Sequence, residues 1–350
     1  MAARATRSAS RGSGSVSEPR DYRDAERTLT TLLELLRVGR LPAHLLPLVN
    51  NFHNAVSADP AWRCHLLVLS HDALGVIFDG LTDTLQPVIA VAFSSTCKGL
   101  WTPLRGALAE LRRRHTKAKA LWYKADKRGM QCFAVLRGAQ TLSWEDVDLT
   151  ADDMATLAMI LRTSGLPNLK QINLERNRFG IAGMQTLCEG LAQSSITHIH
   201  LGENDLGTAG AEALGAVLGA GGLPKLKKLT LCSNNIEEHG VAALSMPLRK
   251  HPKLQDLSFK ENPIGDEGLA LLVDDLGKDD FKALAWLQLD DCDLTDDGCA
   301  KLVSALDNDR MPSLVAIFGL YQNPDISDEA YQAVQNAVLN ARVRTGRWVE

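Results

Sequence analysis

The chain has 350 residues, 45% of them hydrophobic and 23% charged, enough for two ordinary domains with real cores. A formal net charge of -4 is too small for a protein devoted wholly to polyanions, although the charge is unevenly placed. Seven cysteines (Cys64, Cys97, Cys132, Cys188, Cys232, Cys292, Cys299) form neither a CxxC pair nor a Cys/His cluster, which excludes a sequence-legible zinc site and predicts reduced thiols in an intracellular protein.

Residues 1–20 are mostly Ala, Arg, Ser and Gly, a composition that buries too little apolar surface to offset ordering, so a disordered tail is expected. Arg4, Arg7 and Arg11 with no acid before Glu18 leave organelle import open beside a plain solvated tail in the cytoplasm or nucleus. The apolar stretch at Val88–Phe93 is too short to cross a bilayer, so no membrane association is expected.

Residues 21–138 read as a helical domain. Leu32-Leu33-Leu35-Leu36 and Leu45-Leu46-Leu48-Val49 have helical spacing, and around 69–101 Leu74, Ile77, Phe78 and Leu81 share one helical face. The order Leu69, Asp72, Leu74, Ile77-Phe78, Leu81, Pro87, Val91-Ala92, Ser95, Trp101 resembles an F-box, with Ser70 where that pattern usually has Pro. The resemblance implies a Skp-type adaptor of a cullin-RING (SCF-type) ubiquitin ligase as partner, contacted by Leu74, Ile77, Phe78, Leu81 and Trp101. The spacing fits equally a helical pair that merely precedes the C-terminal half. From Arg105 to Arg128 nine basic residues stand against Glu110 and Asp126, interleaved with Leu108, Leu111, Leu121 and Trp122. This predicts a helix with a solvated basic face, or alternatively a nuclear-import or nucleic-acid patch.

From 139 to 350 an LxxLxLxxN frame recurs: Leu169-Ile172-Leu174-Asn177, Ile196-Ile199-Leu201-Asn204, Leu226-Leu229-Leu231-Asn234, Leu254-Leu257-Phe259-Asn262 and Leu284-Leu287-Leu289-Cys292, with a looser copy ending at Leu320 and Asn323. After the Asn comes an apolar–Gly turn and then helical pairs such as Leu187/Leu191 and Leu214/Leu218, so one unit is strand, turn and helix. Single units cannot cover their own apolar face and must stack into a parallel sheet backed by helices. Strands sit about 4.8 Å apart and packed helices about 8–10 Å, so the sheet takes the inner arc. Each Asn amide is expected to bridge turn backbone of adjacent coils. Leu142-Trp144-Val147-Leu149 fits the frame without its Asn, as an N-terminal cap does, and Ile326 to Val343 is expected to be a capping helix.

These motifs resemble the ribonuclease-inhibitor-like leucine-rich repeats over residues 140–340. The resemblance implies an α/β horseshoe solenoid that binds other proteins and is not an enzyme. No phosphate-loop, nucleophile-elbow or zinc-protease motif is present, so neither catalytic residue, cofactor nor metal is assigned. His198 and His200 alternate onto one strand face beside Glu203 and read as polar lining rather than a metal pair. The frame sends Asn173, Glu175, His198, His200, Lys228, Thr230, Asp256, Ser258, Lys260, Trp286, Gln288 and Asp290 to the concave face, where a protein partner is expected. Trp286 is the natural anchor, and thirteen acids between Asp256 and Asp297 favour a basic partner. Some of that acidity is structural, because Asp266, Glu267, Asp296 and Asp297 fall at helix starts. The function expected is protein recognition, either as a ligase substrate receptor or as a scaffold. A small-GTPase regulator is a third reading, since Arg176 and Arg178 occupy a loop where Ran GTPase-activating proteins of the same repeat class carry a catalytic arginine.

Overall fold

The structure, a computed structural model, describes residues 98–126, 136, 138–163 and 166–346. The chain divides into two compact units, and the second, which apart from a short earlier stretch begins at Arg112, holds the repeats. Leu74, Ile77, Phe78 and Leu81 lie outside the described residues. Trp101 has its backbone in helix α1 (Lys98–Ala125), while its side chain is likewise outside them.

Seven three-residue strands alternate with helices: β1 (Thr141–Ser143), α2 (Ala151–Arg162), β2 (Gln171–Asn173), α3 (Gly180–Leu191), β3 (His198–His200), α4 (Gly207–Gly219), β4 (Lys228–Thr230), α5 (Glu238–Arg249), β5 (Asp256–Ser258), α6 (Gly265–Val273), β6 (Trp286–Gln288), α7 (Asp296–Asp307) and β7 (Ala316–Phe318). A 3-10 turn (Leu320–Gln322) and α8 (Asp328–Thr345) come after β7. The sheet is parallel and in sequence order, with Leu142, Ile172, Ile199, Leu229, Leu257, Leu287 and Ile317 in register. All seven face one continuous core shared with the buried faces of the helices, so each strand has one buried side and one open side.

The Asn ladder carries the turns. Asn204 Nδ2 donates to the Leu174 and Leu201 carbonyls, both at 2.9 Å, and its Oδ1 accepts from the Asn177 backbone N–H at 3.2 Å. Asn234 and Asn262 repeat the arrangement one and two coils on. Each amide therefore satisfies donors and acceptors of two coils at once at a buried position. The terminal caps also form. Thr150 opens α2 with a capping box closed by Asp153, and Trp144 stacks edge-on against Trp122 at 6.4 Å between ring centroids. The core reaches back beyond residue 139, because α1 contributes Ala118, Leu121, Trp122 and Ala125 to it.

Helix spacing depends on two glycines. A Cβ at Gly190 would lie 2.5 Å from Ala158 Cα, and one at Gly215 would lie 2.5 Å from the Ala243 carbonyl oxygen, so the helix pairs meet backbone to backbone there. The approach to β6 is fixed by a buried carboxylate. Asp280 takes Arg249 Nε at 3.3 Å, Lys250 Nζ at 2.5 Å and the Gly277 N–H at 2.9 Å. Burial pushes this carboxyl up, but those three donors together hold it below its ordinary value, so it stays ionised.

Candidate binding face

The strand register sorts the open sheet face into rows. The first runs Gln171, His198, Lys228, Asp256, Trp286, Ala316; the second runs Asn173, His200, Thr230, Ser258, Gln288, Phe318. Just beyond the strand ends, Glu175, Cys232, Lys260 and Asp290 stand in matching positions, joined by backbone bonds such as Glu203 N–H to Cys232 O and Glu261 N–H to Asp290 O.

The twelve residues assigned to this face from sequence therefore do fall on it, but two of them are not available to a partner. Ser258 is fully buried and Thr230 nearly so. Ser258 Oγ is 3.2 Å from Cys232 Sγ, and Thr230 Oγ1 is 2.7 Å from His200 Nδ1, so both hydroxyls are already engaged by neighbouring side chains. Gln171, Cys232 and Phe318 also belong to the face, as the alternation of the strands could have told for Gln171.

The N-terminal half is a network of paired charges. Arg176 reaches Glu203 at 2.8 Å and Glu145 at 3.4 Å, so this loop arginine is held between two carboxylates. Lys228 pairs with Asp256 at 2.6 Å, and His200 Nδ1 stands 3.8 Å from Glu175. Burial, followed by the nearby Lys228 charge, depresses the pKa of both His198 and His200, while burial and Glu145 raise that of Glu175. Among the described residues no group of three or more His, Cys, Asp or Glu side chains is placed to hold a metal ion, and no helix is long and apolar enough to cross a membrane.

The C-terminal half differs in kind. Trp286 is 39% exposed, Phe318 45% and Tyr321 69%, on a surface otherwise polar. Trp286 and Phe318 are diagonal neighbours on adjacent strands, about 8 Å apart at their backbones from strand geometry. Gly319 succeeds Phe318 with φ +79°, and a Cβ there would fall 2.0 Å from Asp290 Cγ, so Asp290 lies directly against this turn. The same glycine explains the looser sixth copy of the frame: it is one extra residue, and the left-handed turn absorbs it so that Leu320 and Asn323 recover the core and ladder positions.

The ordered parallel strands, the helices behind them and the Asn ladder define a leucine-rich-repeat solenoid. A family model described as Leucine Rich repeat matches residues 192–215 and 250–273. The chain is 29% identical over 198 residues to the ribonuclease inhibitor of Mus musculus, covering 48% of this chain and 42% of that protein. It is 28% identical over 182 residues to the ribonuclease inhibitor of Sus scrofa, covering 52% of this chain and 33% of that protein. Over 166 residues it is 31% identical to the NACHT, LRR and PYD domains-containing protein 3 of Homo sapiens, covering 46% of this chain and 16% of that protein. The chain thus spans less than half the length of these curated relatives. Within that span its repeats are similar to those of the ribonuclease inhibitors.

Proposed function

We propose that the protein is a recognition module that holds a protein partner against the concave sheet face, with the partner's anchor contacts at Trp286 and Phe318. The observation that carries this reading is the pair of exposed aromatics on adjacent strands of an otherwise polar face, because large amphipathic rings supply much of the binding energy in protein interfaces. Asp290 beside Phe318, with Asp291 and Asp293 in the adjoining turn, suits a partner presenting lysine or arginine. The N-terminal half would contribute registration more than affinity, since its charges are already paired within the chain.

The test is a comparison of proteins retained from source-cell lysate by the wild type and by a Trp286→Ala, Phe318→Ala variant, then reconstitution with the purified partner. A partner that the wild type holds and the variant loses supports the reading. Equal retention by both would move the binding surface elsewhere.

A finer form makes the module a substrate receptor of a cullin-RING ligase, with Leu74, Ile77, Phe78, Leu81 and Trp101 on a Skp-type adaptor. Its support is the residue order across 69–101 and the position of that segment ahead of the repeats. Loss of adaptor and cullin from an Ile77→Asp, Leu81→Asp variant that still folds is the expected result; their absence from the wild type as well leaves a scaffold without a ligase.

A further inference from the structure

From Arg112 onward, helix α1 packs one face on the N-terminal end of the repeat core and leaves the other exposed. Ala118, Leu121, Trp122 and Ala125 are the buried side. On the opposite side Arg112, Lys117, Lys119 and Tyr123 are exposed, Tyr123 to 62%. At 3.6 residues per turn, Arg112, Thr116, Lys119 and Tyr123 fall on one line along the helix, and Arg113, Lys117 and Lys124 on the next. Lys124 is engaged by Asp153 at 2.6 Å, so its charge is already met within the chain.

The chemistry between these cations narrows the partner. The exposed positions among them are Ala109, Thr116 and Ala120, too small to anchor a protein interface, which is built around large side chains sunk into pockets. Among the described side chains Tyr123 is the one large ring on this face, and Lys119 Nζ lies 5.8 Å from its centroid. A stiff helix that presents Arg112, Lys117 and Lys119 beside one exposed ring matches the two demands of a nucleic acid single strand: compensation of its phosphates and a platform on which a base stacks. We propose that the outer face of α1 binds single-stranded nucleic acid, with Arg112, Lys117 and Lys119 on the phosphates and Tyr123 under a base. This site is independent of the sheet face and of any partner held there.

Fluorescence anisotropy of the full chain with fluorescein-labelled single-stranded RNA and DNA of one sequence, titrated between about 50 and 200 mM salt, tests it. Binding is expected to weaken as salt rises. An Arg112→Gln, Lys117→Gln, Lys119→Gln variant should lose at least about tenfold in affinity, and its log–log salt slope should be shallower by about 2, since each lost phosphate contact removes roughly 0.7. Tyr123→Ala should lose roughly tenfold with the slope unchanged, because stacking releases no counterion. All four side chains are exposed, so these variants keep the fold. No binding by the wild type, or equal binding by wild type and triple variant, overturns the proposal. So does binding to phosphatidylserine vesicles that Tyr123→Ala leaves intact while neither oligonucleotide binds, which would make the face a membrane contact. Salt-sensitive self-association that the triple variant abolishes, again without oligonucleotide binding, would make the occupant a second copy.

Discussion

The Cys292 thiol lies 3.4 Å from the Phe259 carbonyl oxygen, in the place where every other repeat of the series sets an Asn amide. The thiol reproduces the donor half of the ladder, reaching also the Asp290 carbonyl at 3.4 Å, but offers no carbonyl oxygen to the preceding coil. The Ile264 N–H bonds instead to the carbonyl of Asn262 at 2.7 Å. Burial pushes the Cys292 thiol up to about 12, so it stays protonated and serves as a donor. Cys292→Asn is therefore expected to complete the ladder by giving the Asn262 and Ile264 amides a shared amide oxygen in place of the weakly accepting sulfur and the local Asn262 carbonyl, with a gain of about 1 kcal/mol in chemical denaturation. Asn234→Ala, which removes bonds to the Leu201, Leu231 and Cys232 carbonyls and from the Asn204 N–H, should cost about 3 kcal/mol. A Cys292→Asn protein no more stable than wild type would show that the coil has already relaxed around the sulfur.

Gly215 supplies a sharper test of helix packing. A methyl group there meets the Ala243 carbonyl oxygen, which belongs to the backbone of α5 and cannot turn aside. Gly215→Ala should cost about 2 kcal/mol or more despite the better helix propensity of alanine. Gly106→Ala, where no atom of the described residues stands within 4 Å, should instead gain up to about 1 kcal/mol. Thermal melts of the two variants shifting in the same direction would mean that α4 and α5 do not approach as closely as described.

The repeat unit was legible because its physics is local and periodic. Each strand needs one apolar residue facing the core, each turn needs the Asn, and both recur at steps of 27 to 30 residues, so an error in one copy is corrected by the next. The candidate face was only partly legible. Alternation tells which side of the sheet a residue is on, but not whether neighbouring side chains engage it, and that separates Ser258 and Thr230 from Trp286. Phe318 was missed because one inserted residue, Gly319, breaks the frame just after it, and a left-handed glycine turn leaves no periodic trace. The basic helix was visible as composition, whereas the face it presents depends on its packing against Trp144, a contact 22 residues away in sequence.

His251 ties stability to pH. It is 6% exposed, and its Nε2 lies 3.1 Å from the Leu223 carbonyl, so that nitrogen carries the proton; Nδ1 accepts the Lys253 N–H at 3.4 Å. Burial lowers the imidazole's pKa from its ordinary 6.5, outweighing the Leu223 carbonyl, which favours the charged form. A folded-state pKa below the unfolded one means that the stability it supports is fully present above about pH 6.5 and is lost as pH falls through the folded value. Unfolding free energy should therefore decline from about pH 6.5 downward, and His251→Gln, which can still donate to Leu223, should flatten part of that decline. An unchanged pH profile in the variant would assign the decline to other groups, His198 and His200 among them.

Trp286 and Phe318 separate binding from stability. At 39% and 45% exposure, neither is part of the core, and Leu287 and Ile317 beside them carry the burial on their strands. Truncating either ring, still about half buried, should cost about 1–2 kcal/mol of stability, well short of a core deletion. For a partner seated on these rings, each truncation should cost about 2 kcal/mol or more in affinity, and the double variant need not show the sum, because neighbouring anchors are coupled. Leu287→Asp supplies the opposite signature: it puts an unpaired charge into the continuous core, costs several kcal/mol of stability, and loses binding only because the fold is lost. Calorimetry of the unliganded variants beside titration with the partner distinguishes the two. If Trp286→Ala melts as early as Leu287→Asp, the ring supports the sheet rather than a partner, and the proposed anchor is lost.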